Sequence, residues 1–227
     1  MSVHSMNSMN AVNSVNAAAR GVVLARPLPS VRVQSLATAL AVAAAVALPQ
    51  AFHLAGAALG VGAGLGQALL PMHLPVLLVG LLAGPFAGAA TGAFAPLLSF
   101  ALTGMPVVAM VPFMVLELAA YGLFAGLLRG SRLCASVPVP ASDADASGVR
   151  GGSITPWRWL AALLAAQVAG RVVRAVAVLV AVGVFGNAQV AVSSIWTSVA
   201  DGLPGLVLQW VLVPAVLALV ERASRHV

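Results

Sequence analysis

Lysine is absent from this chain, acidic residues number five, and cysteine occurs once. Each shortage excludes something. A lone Cys134 rules out an intrachain disulfide. Charged residues make up 7% of the composition, against the ~25% of an ordinary soluble domain. From Val33 to Leu116 no Asp, Glu, Lys or Arg occurs at all, and a water-exposed surface cannot be built from such a stretch. A soluble globular enzyme, a disordered chain and a disulfide scaffold are therefore excluded. What is present is apolar: 61% hydrophobic residues and a mean hydropathy of +1.05. These values specify an all-α integral membrane protein of several helices.

The net charge of +6 is no sign of nucleic-acid binding. Eleven arginines decide it, and they form no basic stripe with interleaved aromatics. Residues 1–34 read as a flexible cytoplasmic tail that carries His4, Arg20, Arg26 and Arg32. They are too long and polar before the first apolar run for a signal peptide. Residues 35–227 read as a six-helix membrane domain.

The six expected spans are Ser35 to Phe52, Pro71 to Gly84, Pro85 to Leu102, Val107 to Leu128, Trp157 to Phe185, and Ser198 to Val220. A Gly-rich stretch from Leu54 to Leu69 reads as a membrane-associated loop. Gly84, Gly88 and Gly92 recur at four-residue spacing, a small-xxx-small pattern that lets helix backbones approach closely. Residues 129–156 read as a cytoplasmic linker, and Trp157 and Trp159 beside Arg158 as an interfacial anchor. With six spans, the arginines before span one, between spans four and five, and after span six share one side. The positive-inside rule makes that side the cytoplasm, with both termini, in a bacterial cell membrane.

Catalytic signatures are missing: no HExxH zinc pair, no Gly-x-Ser nucleophile turn and no P-loop occur. No cofactor is expected, and His53 and His73 alone are too few ligands for a closed metal site. A pair of neutral hydrogen-bonding side chains near a cavity mouth is the better reading of these histidines. Ionisable residues at membrane depth carry the functional argument instead. Glu117 lies ~15 Å into its span, near the midplane of a ~30 Å hydrocarbon core. Arg171 and Arg174 share a face of span five, with Gln167 extending the stripe. Each such charge costs roughly 2.5–3.5 kcal/mol at the bilayer centre, so all three must face the bundle interior. Two readings follow: a structural Glu–Arg pair that holds helix register, or one wall of a solvated ligand cavity. In the second, the excess of one positive charge suits an anionic group on a ligand. Tyr121 follows Glu117 by four residues and shares its face. Asn187, Gln189 and Trp196 in the last outer loop either cap a pocket or sit at the interface.

The stretches LLPMHLPVLLVGLLAGPFAGAATG, PLLSFALTGMP, VPFMVLELAAYGLFAGLLRG and GLPGLVLQWVLVP resemble those of substrate-binding S components of energy-coupling factor (ECF) transporters, over Ser35 to Val220. The resemblance implies a six-helix bundle that captures a vitamin-like small solute or vitamin precursor from outside. It implies docking, within membrane lipid, on a transmembrane coupling protein that works with cytoplasmic ATPase subunits. On these readings the substrate site comprises His73, Glu117, Tyr121, Arg171 and Arg174. The family's Ala-x-x-x-Ala coupling pattern on helix one is matched by Ala37, Ala41 and Ala45, and equally by Ala39, Ala43 and Ala47. A stand-alone secondary carrier and a non-transporting scaffold are the competing readings.

The arginine placement makes a direct prediction. A topology reporter fused after Arg132 or at Val227 is expected to read cytoplasmic, and one inserted near Gly62 external. An external reading within the 129–156 linker breaks the arrangement.

Overall fold

The computed structural model describes residues 28–62, 64–129, 156–187 and 189–223. The N-terminal stretch up to residue 27, with His4, Arg20 and Arg26, lies outside them, as do residues 130–155 with Cys134, and the side chains of Trp157 and Arg158. Among the described residues the chain is all-helical: α1 (Val31–Ala58), α2 (Gly64–Leu69), α3 (His73–Ala83), α4 (Pro85–Thr103), a 3-10 turn (Val108–Met110), α5 (Val111–Leu128), α6 (Pro156–Gly183), α7 (Ser194–Asp201) and α8 (Leu203–Ala223).

Five segments are long and apolar enough to cross a membrane: Val31–Ala58, Pro85–Thr103, Val108–Leu128, Trp159–Gly183 and Leu203–Val220. They form a multi-pass membrane protein whose exposed surface is apolar, with Leu36, Leu40, Phe86, Phe94, Val172 and Val211 facing outward. The second expected span is not among them. Its helix, α3, has 11 residues, about 16 Å at 1.5 Å per residue, roughly half of the hydrocarbon core. The backbone sets this length. Leu70 at φ 47° precedes Pro71, and Gly84 at φ 111° ends the helix, a geometry that glycine adopts without a Cβ clash. Within those limits α3 is the most enclosed helix of the bundle: His73, Pro75, Val76, Leu77, Val79, Gly80, Leu81 and Ala83 are all buried. A helix apolar on every side is one kept from water by protein or lipid, and here protein encloses it.

The Gly-rich stretch is also less loop-like than its composition implies. α1 continues through Pro49 to Ala58, and α2 forms over Gly64–Leu69. The last expected span divides at Gly202 into α7 and α8.

Glycines bring the central helices together. Gly80 of α3, Gly88 of α4 and Gly122 of α5 meet backbone to backbone, so that a Cβ on Gly80 would lie 2.5 Å from the Gly122 carbonyl oxygen. Gly92 lies against the Leu118 carbonyl, and Gly126 against Pro85. The small-residue stripe of α4 thus faces α5, as its four-residue spacing predicts. The main core then fills between α3, α5, α6 and α8 with Val76, Leu77, Leu81, Leu118, Tyr121, Leu163, Val213 and Leu217.

Neighbouring contacts also order the ends. Leu28 and Arg129 both approach Gly84, so the start of α1, the α3–α4 turn and the end of α5 share one end. α6 runs antiparallel to α5, with Gly170 against Tyr121 and Val178 clustered with Phe113. α8 in turn runs antiparallel to α6, with Gly202 just before it and its own Gly205 beside Leu70 and Leu69. The described ends at residues 28, 129, 156 and 223 therefore gather together.

The glycine junction yields a test. In Gly122→Ala the new methyl meets the Gly88 backbone. Overpacking of this kind costs typically ~1–3 kcal/mol, and more where backbone must move. Gly183, with nothing within 4 Å of its would-be Cβ, serves as the control. Thermal denaturation in detergent is expected to show a clear loss of melting temperature for Gly122→Ala and none for Gly183→Ala.

Candidate functional site

A cavity of about 390 Å³ opens at the end of the bundle away from Gly84, within the range of small-molecule sites, roughly 300–1,000 Å³. Its position follows from the short α3. That helix starts only at His73, so its column holds no further helical turns beyond that point, and Leu70, Pro71, Met72 and His73 become lining residues. α1 contributes Pro49, Gln50 and His53, and α5 contributes Met114 and Glu117. Arg171 and Arg174 come from α6, and Ser194, Thr197, Ser198 and Asp201 from α7.

Glu117 is the centre of the polar wall and is 1% exposed. Tyr121 Oη donates to its Oε1 at 2.9 Å, and Arg174 Nη1 donates to its Oε2 at 2.7 Å. Arg171 Nε stands 3.6 Å from Oε1, at ion-pair but not hydrogen-bond distance. Its Nη1 instead donates to the Ser198 carbonyl at 3.1 Å and approaches Ser198 Oγ at 3.3 Å. The sequence spacing explains the convergence. Glu117 and Tyr121 are one turn apart on α5, and Arg171 and Arg174 nearly one turn apart on the facing side of antiparallel α6. The His73 ring packs tilted on Tyr121, centroids 5.2 Å apart.

All five candidate site residues therefore form one cluster, but with different placements. His73, Glu117, Arg171 and Arg174 line the cavity. Tyr121 does not. It is fully buried behind Glu117 and against Gly170, so it holds the carboxylate from the rear. Gln167 departs from the expected stripe as well. Its Nε2 donates to Gln209 Oε1 at 2.8 Å, and it accepts from Trp210 Nε1 at 2.8 Å, which ties α6 to α8. His53 lines the cavity and packs against Gly66. Asn187, Gln189 and Trp196 do not line it. Asn187 caps its own turn by accepting from the Gln189 amide at 2.9 Å, and Trp196 is exposed.

The Ala37, Ala41 and Ala45 face points inward. Ala45 is fully buried, Ala41 nearly so, and Ala37 packs with them against Val79, Ala83 and Ala87. An external coupling surface built from these three is therefore corrected: their small side chains serve the close approach of α1 to α3 and α4. Ala39, Ala43 and Ala47 are exposed, and the first two line an open groove between α1 and α4.

Several lining residues were not foreseen: Gln50, Ser194, Thr197, Ser198, Asp201 and the methionines. One signal for them was in the sequence. All four methionines beyond the first nine residues, Met72, Met105, Met110 and Met114, line this one cavity. Unpartnered polar atoms mark the same place. Gln50 Nε2, His73 Nδ1, Arg171 Nε and Nη2, Arg174 Nε and Ser194 Oγ are buried without a hydrogen-bond partner, and each belongs to a lining residue. Among the described residues no group of three or more His, Cys, Asp or Glu is placed to hold a metal ion.

Glu117→Gln removes the negative charge and turns one of the two acceptor oxygens that Tyr121 and Arg174 use into a donor. One-sided loss of a buried ion pair typically costs ~3–5 kcal/mol, whereas losing one hydrogen bond to a charged group costs ~1.5–3 kcal/mol. Glu117→Gln is therefore expected to lower the melting temperature of the purified protein more than Tyr121→Phe does. An unchanged melting temperature in Glu117→Gln would show that the cluster does not hold α5 to α6.

No curated protein and no solved structure matches the chain. A family model described as the substrate-specific component of ECF transporters matches residues 33–217. That match takes in nearly all of α1, the glycine junction, the Glu117 cluster and most of α8, and the chain belongs to the family of substrate-specific components of ECF transporters.

Proposed function

We propose that this protein is the substrate-capture subunit of an ATP-driven ECF importer and that it takes a vitamin-like small solute from outside into the cavity beside Glu117. Membership of the family supports the class of function. The observation that carries the site is the set of unpartnered polar atoms on the cavity wall. Buried polar groups in folded proteins are satisfied as a rule. A purely structural charge cluster would close on itself, whereas this one leaves several polar groups of the lining residues without an acceptor. His73, Arg171 and Arg174 would contact the solute, and Glu117 and Tyr121 would hold the arginines in place. ATP hydrolysis would belong to cytoplasmic partner subunits, reached through a transmembrane coupling protein.

The exposed face of α1 is the corresponding candidate for docking that protein. Ala39, Ala43 and Ala47 leave its backbone accessible, and in lipid such close approach is what drives helix association. Ala43→Trp is expected to abolish co-purification with the coupling protein and uptake while ligand binding persists. Ala41→Trp, placed between Val79, Ala83 and Ala87, is expected to destabilise the bundle itself. Normal assembly of Ala43→Trp would remove this face from the interface. Native mass spectrometry of the purified chain is expected to show a bound small molecule that is lost in Arg174→Gln. A preparation with no bound or bindable solute would favour a scaffold.

A further inference from the structure

The geometry points to the chemical class of the solute: a small amphipathic molecule with one oxyanion head, carboxylate or phosphate, and an apolar body. This rests on the cavity being the substrate site. Around its buried end, donors outnumber acceptors. Both Glu117 oxygens are engaged, one by Tyr121 and one by Arg174, with Arg171 Nε at 3.6 Å from the first. Arg171 keeps Nε and Nη2 unpartnered, and Arg174 keeps Nε. Gln50 Nε2 and Ser194 Oγ add two more buried groups without partners. A guanidinium stays charged and has no acceptor atom, so the acceptors that complete this wall must come from a solute or from water. An oxyanion does so best, because it takes parallel N–H bonds from an arginine edge.

Charge leads to the same class. Two arginines against Glu117 leave one positive charge in the buried cluster. Asp201, the other acid on the lining, is exposed to solvent at the rim, where water screens it. A neutral solute would leave that charge unbalanced, a cation would add to it, and a polyphosphate would overshoot it beside Glu117. Much of the rest of the lining is apolar: Met72, Met105, Met110 and Met114, with Pro49, Leu70, Pro71, Pro106 and Val107, beside the polar His53, Ser99 and Thr197. Thioethers are flexible and polarizable, and they adapt to an aliphatic chain or a ring edge. Among the described residues no Phe, Tyr or Trp lines the cavity, so the flat faces available to the body are the His53 and His73 imidazoles and the rest of its surface meets these side chains.

The test uses the full chain in lipid nanodiscs and a matched probe set: octanoate, 3-phenylpropanoate, phenyl phosphate, 3-phenylpropanamide and 3-phenylpropylamine. Binding is read by equilibrium dialysis and by the shift in melting temperature. At least one anionic probe is expected to bind at least about tenfold tighter than the amide and the amine, the scale of one charge-assisted hydrogen bond. Preference between the carboxylates and the phosphate names the head. Arg171→Gln and Arg174→Gln are expected to erase the advantage of the anion. Arg171→Lys, which keeps the charge but removes Nε, covers the case of a misfolded Gln variant and is expected to retain part of it. Equal binding of the amide or amine, no binding of any anion, or an undiminished anion preference in Arg171→Lys and Arg174→Gln together would overturn the assignment. The transport reading fails separately. Anion binding without ATP-driven uptake in the assembled complex would sink that reading alone, and uptake of a neutral or cationic solute would sink the oxyanion assignment alone.

Discussion

One carboxylate at membrane depth organises the half of this protein that holds the cavity. Glu117 is the sole acidic residue within the long helices up to α8's last turn, apart from Asp201 at the end of α7. It is shared by a tyrosine on its own helix and an arginine on the next, with a second arginine close by. Without it, two largely buried guanidiniums would lack a counter-charge, and only apolar packing such as Gly170 on Tyr121 would hold α6 in register against α5. With it, each arginine has one edge fixed and another edge left over. Arg171 is held further by the Ser198 carbonyl, which brings α7 into the same arrangement. The stability of the helix pair and the chemistry of the cavity thus depend on a single side chain.

The cavity itself depends on a length. α3 is about half as long as a span, and its column is taken up beyond His73 by Leu70, Pro71 and Met72. Close packing at the other end makes this possible. The Gly80, Gly88 and Gly122 junction draws α3, α4 and α5 together backbone to backbone, giving the bundle a dense end and an open one. The Gln167, Gln209 and Trp210 network then links α6 to α8, and Gln209 reaches the Leu70 carbonyl at 3.4 Å. The polypeptide just before α3 is therefore anchored from the far side of the bundle. Rigid packing, a fixed charge cluster and an adaptable methionine wall are divided among different parts of one small domain, as a subunit that must both bind a solute and stay intact in lipid requires.

Composition and spacing were enough for the membrane class, for most span boundaries and for the convergence of Glu117, Arg171 and Arg174. Three charges in an otherwise uncharged interior must find one another, because lipid offers them nothing; that constraint acts on the sequence directly. The same reasoning placed Gly84, Gly88 and Gly92 on a packed face. Tertiary structure alone decided the rest. That Pro71 to Gly84 holds a helix of only 11 residues turned on the backbone at Leu70 and Gly84, since an apolar run looks the same whether lipid or protein surrounds it. Which alanine face of α1 is free turned on which side α3 and α4 occupy, since Ala37, Ala41 and Ala45 and the rival face have the same spacing and the same side chain. Gln50, Ser194, Thr197 and Ser198 carry no charge to betray them, and they reach the cavity only because distant helices converge there. Tyr121 shares a helical face with Glu117 yet lies behind it, because Gly170 leaves room for its ring on the side away from the cavity. Helical spacing determines which residues are neighbours on one helix, and the packing of the others determines what each of them meets.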